Sequence, residues 1–220
     1  MTKHASQDNE PAGSDEAVSS GIRAVQSERR RADILKASAE VLTQGYADFS
    51  LRKVAAAAGV RLNTVQHHFG DLESLVLATV ESMLGDFIVR MRRLAAGEYA
   101  SPSDDLMVFL DEAWVTIRDV NVRAFFIEVW AMGLHRPSIG QLVRELYAEY
   151  RTSVAAIVHR ANPDLTESEV QTLSMLICSW TEGAMVMTHW NCPGTPSLSF
   201  VSLRMKAACL ALVGSPANSG

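Results

Sequence analysis

The chain is short of cysteine, of long apolar runs and of any alternating strand pattern, and each shortage excludes something. Three cysteines in 220 residues, Cys178, Cys192 and Cys209, are an odd number at low density. That excludes a disulfide framework and fits a reducing cytosol, with each thiol acting as a small buried hydrophobe. No stretch approaches the ~20 apolar residues of a membrane span. The N-terminus has no basic start followed by an apolar run of about 7–15 residues, so no secretory leader is expected. These absences predict a cytoplasmic protein with no membrane partner. No window alternates Val, Ile, Thr and aromatics with polar residues, so strands are not expected. No HExxH, nucleophile elbow, P-loop or dinucleotide fingerprint occurs, which argues against an enzyme and against a cofactor. His189 and Cys192 lie three apart, but a metal site needs two further ligands that the sequence does not supply.

Charge is unevenly spread. The net charge of −5 conceals a block at residues 22–70 with eight basic side chains (Arg23, Arg29, Arg30, Arg31, Lys36, Arg52, Lys53, Arg61) against four acids. The remainder on both sides is acidic. A basic block on an acidic body directs attention to a polyanion partner for that block alone. Residues 1–26 are polar and small; such a segment cannot bury enough surface to offset its ordering entropy and is expected to be a disordered tail.

What remains reads as helix after helix. The first is expected from Ser27 to Gln44, with Gly45 as its stop. Ser50 caps a short helix ending at Gly59, a third runs from Leu62 to Gly70, and a long fourth from Asp71 to Ala96. Ser101 with Pro102 opens a helix to Asp119, Asn121 caps the next to Leu134, and Pro137 or Ser138 opens one to Ala161. Thr166 and Glu169 stand at capping-box spacing before a helix to His189, and a last helix fills Leu198–Val213. The fold class is therefore all-α. The expected organisation is the tail at 1–26, a unit of three helices at 27–73, and a larger helical domain at 74–214.

The stretch "VAAAAGVRLNTVQHHFGD" (Val54–Asp71) carries the chemistry. Ala55 and Ala58 leave room for a second helix to cross closely, and Gly59 suits the left-handed backbone of a tight turn. Val60, Val65 and Phe69 seat the second helix, leaving Arg61, Asn63, Thr64, Gln66, His67 and His68 with nothing apolar to bury except beside Leu62. This is helix-turn-helix logic, in which a polar helix face is offered to a DNA major groove. His67 and His68 are adjacent, so they face different ways and cannot jointly grip a metal.

"ILKASAEVLTQGYADFSLRKVAAAAGVRLNTVQHHFGDLESLV" (Ile34–Val76) resembles the DNA-binding part of the tetracycline-repressor (TetR) family. Gly45 and Phe49, the Val54–Val60 block, Thr64, His67–Phe69 and Leu75 fall at the family's spacings. The resemblance implies a small-molecule effector domain behind the DNA-binding domain and a homodimer on a palindromic double-stranded operator. It aligns Arg52, Leu62, Asn63, Thr64 and His67 with base-facing or near-base positions, and Ser50, Gln66 and His68 more with backbone contacts. Asn pairs bidentately with adenine and Thr offers a methyl to thymine. Arg29, Arg30 and Arg31 are placed to reach phosphates or the minor groove. The chain departs from the family at Arg61 (usually Ser), Gln66 (usually Tyr) and Leu72 (usually Lys). The family's Tyr and Lys touch phosphates, a role for which Arg61, Arg52 and His68 are the available substitutes.

Residues 100–213 hold all four tryptophans and many methionines, a composition suited to a small-molecule cavity in a bundle. The candidate ligand residues are Phe87, Met91, Trp114, Phe126, Glu128, Trp130, Trp180 and Glu182. Ile127–Arg151 loosely resembles choline-responsive repressors, which implies an aromatic and carboxylate cage for a quaternary ammonium. The last two helices are expected to close the homodimer. The reading is a ligand-responsive transcriptional repressor. The alternative is a helical small-molecule-binding protein with only residual DNA affinity.

Overall fold

The computed structural model describes residues 13–97, 101–190 and 192–214. Among them every regular element is helical: α1 (Gly13–Leu42), α2 (Leu51–Ala57), α3 (Leu62–Phe69), α4 (Leu72–Ala96), α5 (Pro102–Arg118), α6 (Val120–His135), α7 (Pro137–Ala161), α8 (Glu167–His189) and α9 (Leu198–Gly214), with a single 3-10 turn at Tyr46–Asp48. No helix among the described residues is long and apolar enough to cross a membrane.

Local chemistry sets most of these boundaries. Ser50, Asp71, Ser101 and Thr166 each accept a hydrogen bond from a first-turn amide of the helix that follows. Thr166 and Glu169 close a reciprocal capping box. The cap of α6 is Asp119 rather than the expected Asn121: the Asp119 carboxylate accepts from Asn121 N at 2.8 Å and Val122 N at 3.3 Å, and a carboxylate at the positive end of the helix dipole is the better cap.

A larger difference lies at the start. α1 begins at Gly13, where a disordered tail was expected as far as residue 26; residues 1–12 of that tail lie outside the described residues. Residues 21–30 are exposed throughout, so that stretch of the helix buries no core. No proline or glycine interrupts the chain between Gly21 and Leu42, and a helix nucleated by the buried Ile34–Leu42 segment propagates at little cost through Ala, Gln, Glu and Arg.

The core does not break where the two functions divide. Ile34, Leu42, Val54, Val65 and Phe69 of the first three helices join Leu75, Val80 and Leu84 of α4, and through them Trp114, Ile117 and Phe125 of the body, in one buried cluster. The Ser38 and Thr79 hydroxyls hydrogen-bond at 2.7 Å inside it. A second cluster around Phe109, Leu110, Tyr150 and Ile157 fills the far end. α7 runs centrally against α4, α5, α6 and α8. It approaches α6 so closely that a Cβ on Gly140 would stand 2.8 Å from the Gly133 carbonyl oxygen.

Candidate nucleic-acid interface and effector chamber

α3 is fixed by its apolar side. Val65 is fully buried and Phe69 nearly so, while Gly59, at φ +64°, makes the turn that lets α3 cross α2. Arg61, Asn63, Gln66 and His67 are exposed, and Leu62, Thr64 and His68 are half-buried at the edges of the same face. Arg52 is exposed; Ser50 is half-buried, its hydroxyl oxygen accepting from Lys53 N at 3.3 Å. Of the two departures at phosphate positions, Gln66 is exposed, whereas Leu72 is half-buried against the core.

The basic triplet of α1 divides. Arg29 and Arg30 are exposed, but Arg31 is half-buried, its guanidinium 5.2 Å from the Phe69 ring centroid, where it steadies the end of α3. Burial, and after it the positive neighbours His67, Arg30 and Arg31, lower the pKa of His68 below the ordinary 6.5, with Glu28 opposing. The shift favours the neutral imidazole, which makes His68 a weaker cation than Arg61 or Arg52. The His67 and His68 ring centroids are 5.5 Å apart. No group of three or more potential metal ligands occurs among the described residues.

In the body, α4 to α8 surround a cavity of about 60 Å³. Four of the eight candidate ligand residues line it: Phe87 and Met91 from α4, Phe126 from α6 and Glu182 from α8. The Phe87 and Phe126 rings meet edge to face at 4.9 Å. Sequence reasoning missed the rest of the wall, notably Tyr147, Tyr150, Thr116 and Thr181. A polar chain enters from one side. Trp130 Nε1 donates to the Tyr147 hydroxyl at 2.8 Å, which donates to Glu182 Oε2 at 3.0 Å. Beside it the Tyr150 and Thr181 hydroxyls pair at 2.8 Å. Burial pushes the Glu182 carboxyl up to about 7, the Tyr147 hydrogen bond pulling the other way. Burial and then the Glu182 charge raise Tyr147, and the same causes push the Cys178 thiol up to about 12. An apolar cavity with one carboxyl and two phenols suits a compact organic molecule held by few polar contacts.

The other four candidates lie elsewhere. Trp114 is 1% exposed and belongs to the core, one position round α5 from the cavity-lining Ala113. Trp130 does not line the cavity; it stands behind two residues that do, donating to Tyr147 and lying 6.1 Å from the Phe126 ring centroid. Trp180 lines an open groove between α8 and α9 with Met187, Phe200 and Met205. Glu128 faces away and accepts a hydrogen bond from Tyr46 N at 3.1 Å. Around the α8–α9 groove, Met175, Leu176, Met187, Phe200, Leu203, Leu210 and Leu212 are exposed. Together these side chains give the α8–α9 pair an exposed apolar surface larger than isolated surface residues would make.

Comparison with known proteins agrees with this geometry. Residues 34–79 match the family model of bacterial regulatory proteins, tetR family. The HTH-type transcriptional regulator BetI of Stenotrophomonas maltophilia is 22% identical over 191 residues, covering 82% of this chain and 95% of that protein. Two other BetI regulators match over 58% and 60% of their own length. Among solved structures, a transcriptional regulator from Pseudomonas aeruginosa PAO1 superposes with a TM-score of 0.68 at 18% identity, covering 84% of this chain and 89% of that one. The Bacillus subtilis regulator FadR in complex with stearoyl-CoA superposes with a TM-score of 0.64 at 20% identity, covering 84% and 98%. Residues 34–79 thus match a tetR-family domain, and over most of its length the chain is similar to bacterial transcriptional regulators in sequence and in fold.

Proposed function

We propose that the protein is a cytoplasmic homodimeric repressor that holds a palindromic operator and releases it when a small molecule fills the chamber. The observation that carries this is the division of labour along one helix. α4 packs Leu75 and Val76 in the core beneath α3, and about three to four turns later presents Phe87 and Met91 to the cavity. A ligand that prefers one position of α4 therefore biases the placement of α3. Arg29, Arg30, Arg52 and Arg61 supply phosphate contacts, and Asn63, Thr64 and His67 read bases. Two copies join through α8 and α9, whose exposed apolar face is the surface described above. The structure of FadR with stearoyl-CoA supports an effector role for the body of this fold.

The test is selection of duplexes from a randomised pool by the purified protein. The proposal requires an inverted repeat with half-sites one or more helical turns apart. It also requires an affinity that falls steeply with salt as phosphate counterions are displaced. Recovery of no common sequence, or of an isolated half-site bound by a monomer, contradicts it.

A further inference from the structure

Glu128 was expected in the chamber and instead grips the DNA-binding unit, and the consequence concerns how the two halves communicate. Tyr46 sits in the 3-10 turn between α1 and α2, stacked on Phe49 of the core at 6.3 Å between ring centroids. Its amide donates to Glu128 Oε2 at 3.1 Å. Its hydroxyl accepts from Arg136 Nη2. The same guanidinium stands 4.4 Å from the centroid of the Tyr46 ring, within the range of cation–π attraction. Backbone, ring and hydroxyl of one residue are all held by α6 and the turn that follows it.

α6 is also a wall of the chamber. Phe126 lines the cavity, and Trp130, one turn on, donates to the Tyr147 that carries Glu182. Glu128 lies two residues from Phe126, about 200° round the helix, so it faces the other way, toward Tyr46. Arg136 is the one residue between α6 and α7 and caps α7 with no side-chain hydrogen bond to it. Its guanidinium is committed to Tyr46 instead. With Gly140 packed on Gly133, α6, Arg136 and α7 form a stiff unit touching the chamber on one face and the DNA-binding domain on the other.

We propose that the clasp of Tyr46 by Glu128 and Arg136 is the joint through which chamber occupancy sets the attitude of α2 and α3, acting beside the covalent link through α4. This rests on the chamber being the effector site. Displacement of Phe126 by an occupant tilts α6, and the clasp carries that tilt into the turn from which α2 and α3 hang. Tyr46, Glu128 and Arg136 are positioning residues; none needs to touch DNA or effector.

The experiment replaces the unidentified effector with a built-in occupant. Ala113→Leu adds three carbons at the wall of a cavity of about 60 Å³. Operator affinity is measured by fluorescence anisotropy, on a duplex selected by the wild-type protein, for four proteins: wild type, Ala113→Leu, Glu128→Ala/Arg136→Ala, and the triple variant. Filling the chamber is expected to weaken binding at least tenfold with the clasp intact and, through α4 alone, no more than about threefold with it removed. Equal weakening in both backgrounds overturns the clasp and leaves the chamber reading standing. No weakening in either background overturns the chamber reading itself, and the clasp with it. Tyr46→Phe, which removes only the hydroxyl held by Arg136, is the gentler variant. It is expected to give an intermediate loss of the filling effect, and thermal melts verify that each protein is folded.

Discussion

Replacing Glu182 by Gln should change the pH dependence of folding in a direction and by an amount that the chamber dictates. Burial raises this carboxyl from the ordinary 4.5 to about 7. In the unfolded chain it returns to the ordinary range. Between the two values the folded protein holds a proton that the unfolded chain has released, so stability falls as pH rises through that window and is flat above it. At about 1.4 kcal/mol per pH unit, the interval amounts to about 3 kcal/mol. This is an upper bound, because any water in the cavity screens the charge. Gln keeps a carbonyl to accept from Tyr147 and cannot ionise, so the difference between the two proteins isolates this one group. Urea unfolding at pH 5 and pH 8, at one protein concentration because the stability of any associating protein depends on it, gives that difference directly. Near pH 5 the two proteins should differ little. At pH 8 the Gln variant should be the more stable by up to about 3 kcal/mol, or roughly 5–10 °C in melting temperature. A difference of equal size at both pH values would refute the raised carboxyl that burial gives Glu182.

Other consequences are simpler. Trp114→Ala, at a position 1% exposed, should cost about 3–5 kcal/mol in an unfolding titration as core loss, while Trp114→Phe leaves effector response unaltered. Leu203→Glu, on the exposed face of α9, should give a monomer in sedimentation velocity at micromolar concentration; an intact dimer would move the interface elsewhere. Arg61 is the N-cap of α3 but makes no cap bond, and its charge opposes the helix dipole. Arg61→Ser should therefore stabilise the fold by about 0.5–1 kcal/mol in thermal melts while weakening operator binding in the same preparation.

The helical order and the face of α3 were legible because both depend on local signals: caps, a turn glycine and the apolar spacing of Val65 and Phe69. The chamber was legible only in part, because its wall is assembled from five helices and depends on which way each turns. Phe126 and Glu128 were assigned to one site, yet residues two apart on a helix do not share a face. Ala113, Thr116 and Ile117 line the cavity at helical spacing, and that spacing excludes Trp114 between them. Trp180 falls to the α8–α9 groove although Thr181 and Glu182 beside it reach the chamber. Composition located the region that holds the cavity; angular position round each helix, which only packing fixes, decided which residues line it. The extended α1 escaped for the opposite reason, since a segment with little to bury can still continue a helix begun next to it.

The most direct test of the account is a titration of wild type and Asn63→Ala against single-base variants of the selected operator at two salt concentrations. Asn63 is exposed in the first turn of α3, where base edges are read. The account predicts that Asn63→Ala loses about 1–3 kcal/mol of discrimination at one position of each half-site, with non-specific binding and salt dependence unchanged. Arg30→Ala in parallel should weaken all sequences alike and reduce the salt slope by about one counterion. If Asn63→Ala lowers every affinity equally and keeps every base preference, α3 does not read the operator and the central claim is wrong.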